Sequence, residues 1–238
     1  MKSAQANPVR IEGEIPYWIT PAGRRRVKRR ATFLRCLGGI EKGKKVLEVG
    51  CGVGTFTEKL VGEEIDLTAI DILPDFVQKA SRRVNHRVHC VVADAMVTPF
   101  PPETFDIVVG SSILHHLNAE TALREFWRVL RPGGRLALGE PNMLNPQIFV
   151  MKNVPPVKRW MGEDPDETAF IRWGLARTLR KVGFQEIHIF PYDYLHPSTP
   201  SFLIRLVEGM GKFCERIPIL REFAGSLMIV AKKGDFSS

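Results

Sequence analysis

The sequence has few cysteines, and none of them sit close together. Cys36, Cys51, Cys90 and Cys214 are scattered over 238 residues, without the short spacings that a zinc site or a disulfide framework requires. This argues against a disulfide-held scaffold and for a reducing compartment. No apolar run approaches the roughly 20 residues needed to span a bilayer. The start, Met1-Lys2-Ser3-Ala4-Gln5, lacks the apolar stretch of a signal peptide. A cytoplasmic location is therefore expected. Internal repeats and low-complexity tracts are also missing.

What is present is an ordinary globular composition, 44% hydrophobic and 25% charged. It is long enough for one substantial domain that buries its own core without a staple. The net charge of +8 favours anionic partners such as lipid, a nucleotide-linked molecule or nucleic acid. Much of that charge lies in Arg24-Arg25-Arg26-Val27-Lys28-Arg29-Arg30. Val27, Ala31 and Leu34 fall at i, i+4 and i+7, which predicts an amphipathic helix with the basic residues on its other faces. That face is either solvated or a weak docking surface for an anionic membrane or substrate.

From about residue 45, short β-branched runs alternate with amphipathic stretches. Strands are expected at 45–49, 66–70, 88–93, 105–110, 135–140, 185–190 and 226–232, and helices at 55–61, 74–84, 119–130 and 167–182. Several strands are apolar throughout, as strands buried on both faces of a parallel sheet must be. Strand–helix alternation implies right-handed crossovers and a doubly wound α/β sheet. Two proline-containing stretches, 143–166 and 191–225, break the pattern and are expected to form a cap. Residues 1–39 are expected to form a helical lid on a domain running from 40 to 238.

The strongest local signal is Val46-Leu47-Glu48-Val49-Gly50-Cys51-Gly52-Val53-Gly54-Thr55. An apolar strand ends near an acid, glycines follow at every second position, and a helix begins. Glycine lets the backbone turn sharply and lets a ligand approach the main chain. The second strand ends in Asp71, suited to a ribose diol or to capping the next helix. The third runs into Asp94-Ala95-Met96, where a carboxylate and a backbone N–H can face an adenine. A nicotinamide dehydrogenase would space its last two glycines three apart for a pyrophosphate; here Gly52 and Gly54 are two apart.

These motifs, with Phe105-Asp106-Ile107-Val108-Val109, Ser111-Ser112-Ile113-Leu114-His115-His116-Leu117 and Leu130-Arg131-Pro132-Gly133-Gly134, resemble those of the class I S-adenosylmethionine-dependent methyltransferases. The resemblance runs from about Lys44 to Asn142. It implies a mostly parallel seven-stranded sheet with an antiparallel last strand, and S-adenosylmethionine as cofactor. By that resemblance Gly50, Cys51 and Gly52 would contact the methionine part and Asp71 the ribose hydroxyls. Asp94 and Ala95 would face the adenine, Ser111 would lie beside the sulfonium, and Glu48, Gly54, Ile72 and Met96 would be further cofactor contacts. Tyr17 is a further candidate contact, from an N-terminal segment folded over the cofactor.

The acceptor side is less defined. His115 and His116 are the candidate general bases, with His115 the one expected to face the site. Glu140 and Asn142, at the end of the fifth strand, either bind the acceptor or anchor the segment that follows. Phe149, Trp160, Phe170, Trp173 and the apolar stretch 202–213 suggest a greasy cleft. The expected activity is methyl transfer to oxygen or nitrogen of a small molecule, lipid- or sugar-linked, by a monomer or homodimer without a metal. The alternatives are a nucleic-acid methyltransferase and a non-catalytic adenosylmethionine-binding module. Against the first, no Asp/Asn-Pro-Pro-Tyr-type tetrapeptide follows the fourth strand; against the second, every cofactor position is intact.

Overall fold

Val46 and Leu47 are both fully buried, although neighbouring residues on a strand point to opposite faces of the sheet. The same holds for Ile107, Val108 and Val109. Such strands must lie in the middle of a sheet covered on both sides. The computed structural model, which describes residues 16–62, 64–160 and 168–234, places them there. The strands are β1 (Lys45–Val49), β2 (Asp66–Asp71), β3 (His89–Val92), β4 (Phe105–Ser111), β5 (Leu130–Pro141), β6 (Phe184–Tyr192) and β7 (Ser226–Lys233). Their order is β3-β2-β1-β4-β5-β7-β6, with β7 antiparallel to both neighbours and the remaining pairs parallel. This is the doubly wound sheet with an antiparallel last strand that the sequence implied.

On one face, α5 (Ala119–Val129) and α8 (Arg172–Val182) press Leu123, Phe126, Leu175 and Leu179 onto Leu47, Val108, Leu136 and Leu138. On the other lie α2 (Pro21–Gly38), the single turn α3 (Thr57–Leu60) and α4 (Pro74–Arg83), burying Val27, Leu34, Leu60 and Ala80 against Val46, Ile107, Val109 and Ala137. The short helix α1 (Pro16–Ile19) precedes α2. Thr20 caps α2 by accepting from the Gly23 N–H, and Gly39, at φ 75°, ends it.

Residues 21–38 are thus one of the covering helices of the domain, not a lid: Val27, Ala31 and Leu34 find their apolar partners on the sheet itself. Two boundaries also move. The chain passes from α5 directly into β5 at Leu130, five residues before the expected strand start, because Leu130 pairs with Phe105. Helix α8 starts at Arg172; its expected start at Glu167 lies outside the described residues.

The two proline-containing stretches carry helices. The first holds α6 (Pro146–Asn153) and α7 (Pro155–Trp160), and the second α9 (Ile204–Cys214) and α10 (Pro218–Arg221). They leave from the ends of β5 and β6, which run parallel to β1 because both are antiparallel to β7. Both therefore lie at the carboxyl edge of the sheet, where open α/β sheets bind ligands.

Candidate active site

The turn after β1 is built by three glycines with positive φ: Gly50 at 68°, Gly52 at 53° and Gly54 at 82°. A Cβ on Gly50 would stand 2.6 Å from Ile113, and one on Gly54 2.9 Å from the Ala80 backbone. At Gly52 nothing lies within 4 Å of that position. Packing thus holds the two outer glycines and leaves a gap over the middle one. The Gly52 N–H donates to Asp71 Oδ2 at 2.9 Å, and Leu73 N–H to Asp71 Oδ1 at 3.0 Å. Asp71 ties the ends of β1 and β2 together and starts the turn into α4. Exposed beside it is Ile72, at 62%. At the end of β3, Asp94 Oδ1 accepts from Met96 N–H at 2.7 Å while Ala95 is buried.

Beneath the glycine turn Glu48 is almost wholly buried, and its Oε2 has no hydrogen-bond partner. Burial pushes its carboxyl up to about 8; the Thr57 hydroxyl opposes this and the Asp71 charge adds to it. An orphaned carboxyl under an open glycine turn fits a ligand that carries a cationic group. The Cys51 thiol is pushed up chiefly by burial and then by Glu48 and Asp71, so it is a packed group and not a nucleophile. A raised folded-state pKa means that the Glu48 contribution is fully present below about pH 4.5 and lost as pH rises through about 8. Glu48→Gln should remove this slope. Thermal unfolding from pH 5 to 9 is expected to show the variant gaining on wild type as pH rises; parallel curves would exclude a protonated Glu48.

At the end of β4, Leu114–His116 form a single 3-10 turn. His115 is 8% exposed, and its Nδ1 lies 2.8 Å from Glu140 Oε2. Glu140, fully buried, also accepts at Oε1 from the N–H groups of Ile113 (3.0 Å) and Leu114 (2.9 Å). Burial favours the neutral acid, but the His115 hydrogen bond and charge and the two amides outweigh it and hold Glu140 below its ordinary range. Burial also lowers His115, against the pull of Glu140. A neutral imidazole in this position would donate Nδ1–H to the Glu140 carboxylate and leave its Nε2 lone pair available. His116 is exposed and stacks on His115 with ring centroids 3.9 Å apart. Asn118 caps α5, its side chain accepting from the Thr121 N–H.

Two acceptor expectations change. Glu140 cannot reach an acceptor, because both its oxygens are engaged behind His115. Asn142, 1% exposed, donates from Nδ2 to the carbonyls of Glu222 and Ala224, both at 2.8 Å, and accepts from Leu144 N–H. It anchors the two cap segments to each other. Phe149 and Trp173 are about half exposed; the Trp160 side chain lies outside the described residues. Phe170 lines a cleft of about 370 Å³ with Met143, Ile171, Leu175 and Ala119, three residues beyond His116.

The basic helix is used differently from either sequence reading. Arg26 pairs with Asp193 at 2.6 Å, Arg29 with Glu215 at 2.6 Å and Arg25 with Glu208 at 3.2 Å. Arg30 is 3% exposed. It donates from Nε to the Tyr192 hydroxyl (2.9 Å), from Nη1 to Ser111 (3.0 Å) and Ser112 (2.8 Å), and from Nη2 to Ser226 (2.8 Å). Four of the helix's basic residues, Arg25, Arg26, Arg29 and Arg30, thus bind the cap and the end of β4, while Arg24 and Lys28 stay exposed. Tyr17 is 43% exposed, whereas Trp18 packs edge-on against Phe56 at 5.7 Å, beside the glycine turn, with the Arg30 guanidinium 5.2 Å from its ring. Sequence reasoning missed Trp18, Arg30 and Tyr192.

Comparison with known proteins agrees with this architecture. Residues 47–138 match a family model described as a methyltransferase domain. A demethylmenaquinone methyltransferase of Geobacillus sp. (strain WCH70) is 27% identical over 195 residues, spanning 72% of this chain and 83% of that protein. A 27-O-demethylrifamycin SV methyltransferase of Amycolatopsis mediterranei is 37% identical over 108 residues, spanning 42% of this chain and 40% of that protein. The N-methyltransferase NodS from Bradyrhizobium japonicum WM9, solved with S-adenosyl-L-homocysteine, superimposes with a TM-score of 0.59 at 20% identity over 97% of this chain and 93% of that one. At that identity the likeness speaks for the fold. Residues 47–138 thus carry a methyltransferase domain, and the sheet order and glycine turn around it are those of the class I S-adenosylmethionine-dependent methyltransferase fold.

Proposed function

We propose that the enzyme methylates an oxygen or nitrogen of a small cytoplasmic acceptor with an apolar, lipid-linked body, with His115 as general base. The observation that carries this reading is the His115 Nδ1–Glu140 hydrogen bond of 2.8 Å at the carboxyl end of β4. S-adenosylmethionine supplies a methyl group made electrophilic by its sulfonium. With that group bound, His115 Nε2 would take the proton that the acceptor atom loses on methylation, and Glu140 would stabilise the imidazolium so formed. Glu48 and the amides around Gly52 would hold the methionine part, Asp71 and Ile72 the ribose, and Asp94, Ala95 and Met96 the adenine, with Ser111 beside the sulfonium. The cleft at Phe170 and Met143 suits the apolar body. Two relatives are named for apolar acceptors, a demethylmenaquinone and a 27-O-demethylrifamycin, which supports the apolar body.

Methyl-labelled S-adenosylmethionine incubated with a lipid extract, a polar extract or RNA tests the acceptor. Label is expected in lipid-soluble product, and label confined to RNA overturns the reading. Cofactor placement has a separate test. Asp71→Ala should weaken S-adenosylmethionine by about 1.5–3 kcal/mol, the scale of hydrogen bonds to a charged group; calorimetry giving equal affinities for the two folded proteins would remove Asp71 from the site.

A further inference from the structure

Helix α9 buries Ile204 and Gly211, with Ile204 seated against Ala22 and Leu195. A helix turns about 100° per residue, so Phe202, Leu206, Met210 and Phe213 fall together on the side away from that seam. They are 82%, 58%, 60% and 62% exposed, and Ile219 in α10 is 74% exposed. Single exposed apolar residues are ordinary, whereas a continuous stripe marks an interaction surface.

The charges of this segment are sorted between its two sides. Glu208, Glu215 and Glu222 turn inward and pair with Arg25, Arg29 and Arg172 at 3.2, 2.6 and 2.9 Å. Arg205, Lys212 and Arg216 stay exposed and make no ion pair among the described residues. The outward face is therefore apolar along its middle, with cations beside it and its acids withdrawn.

We propose that this face docks on an anionic lipid bilayer, with the apolar side chains entering the headgroup boundary and the three cations meeting lipid phosphates. Charge complementarity selects this occupant. A second copy related by a two-fold axis would set like charges against each other, and a zwitterionic surface offers the cations no net attraction. Because α9 follows β6 at the carboxyl edge, a docked enzyme would turn its site toward the lipid. That last point rests on the lipid-linked acceptor; the docking does not.

Co-sedimentation of the full chain with vesicles of phosphatidylglycerol and phosphatidylcholine, or of phosphatidylcholine alone, tests the docking at 0.1 and 1 M salt. Binding is expected to the anionic vesicles and to weaken at 1 M, where the Debye length is about 3 Å. Arg205→Gln/Lys212→Gln/Arg216→Gln should lower partitioning on the order of 100-fold, from about fivefold per cation. Phe202→Ser/Phe213→Ser should lower it about tenfold or more at either salt; Phe202→Ser alone serves if the double variant does not fold. Arg24→Gln/Lys28→Gln, on α2, should change it far less. Equal binding to both vesicle types, no binding, or an equal loss in the α2 variant would overturn the proposal. So would a dimer that depends on Phe213, or binding to RNA in place of vesicles. S-adenosylmethionine affinity, measured on the same samples, reports separately on the methyltransferase site.

Discussion

An Arg30→Ala protein is expected to unfold about 6–12 °C below wild type and to bind S-adenosylmethionine at least tenfold more weakly, a loss of about 1.4 kcal/mol. The guanidinium is the shared donor for hydroxyls from β4, β6 and β7. Tyr192 and Ser226 are each 1% exposed, so neither can recover a lost partner from water. Each buried group left unsatisfied costs about 1–3 kcal/mol. The space cannot refill easily, since Gly139 lies so close that a Cβ there would meet Arg30 Cδ at 2.9 Å. A total near 3 kcal/mol follows, and about 2–4 °C per kcal/mol for a domain this size gives the shift. Affinity falls because Ser112, at φ 57°, is held by Arg30 Nη1 in a conformation that serine seldom adopts. Ser111, the residue expected beside the sulfonium, would relax with it. Arg30→Lys should recover less than half of the stability, because one ammonium cannot reach partners spread around a planar fork. Calorimetric unfolding and cofactor titration measure both effects; a midpoint within about 2 °C of wild type would show that the hydroxyls find other partners.

The largest kinetic effect is expected from Glu140→Gln, a change of one heavy atom. The amide oxygen can still accept from Ile113 and Leu114, so the turn survives. Its NH₂ group would face His115 Nδ1, however, and force the imidazole into the tautomer that protonates Nε2. Turnover should fall by about 10²–10⁴-fold, the range for losing a general base, with cofactor affinity within about twofold. His115→Ala should fall equally, and the double variant no further, because the two residues act as a unit. The pH dependence has a defined sign. Both pKa values are lowered in the folded protein, so the stability tied to them is full above about pH 6.5 and is lost as pH falls through the folded values. The rate of wild type should accordingly hold at pH values where a free imidazole is already charged. A Glu140→Gln enzyme with full turnover would show that positioning alone carries the transfer.

The glycine turn and the strand-end acids were legible because their signals are local. Gly50, Gly52 and Gly54 lie within five residues, and each strand-end acid follows a run of apolar residues that marks the strand. The acceptor half was not, because its decisive contacts join distant segments. Glu140 looked like a ligand residue since it ends a strand at the binding edge, and only the fold brings His115 and two amides onto it. For Asn142 the anchoring alternative is the one its hydrogen bonds bear out. Arg30 carried a signal that the basic run concealed. Val27, Arg30, Ala31 and Leu34 are spaced i, i+3, i+4 and i+7, so the arginine lies within the apolar stripe and must be buried with it. Arg25, Arg26 and Arg29 were read as surface charge because their acids, Glu208, Asp193 and Glu215, lie more than 160 positions away.

The same guanidinium sets the order in which the molecule can be completed. Its partners stand 81, 82, 162 and 196 positions further along the chain. Helix α2 leaves the ribosome before any strand of the sheet, yet Arg30 has no full set of acceptors until Ser226 has emerged. A chain lacking β7 would keep the sheet core from β1 to β5 but leave a charged donor unsatisfied in an apolar seam. Helix α2 and strand β7 therefore function as two halves of one clasp, and the loop behind the fourth strand is shaped only when that clasp shuts.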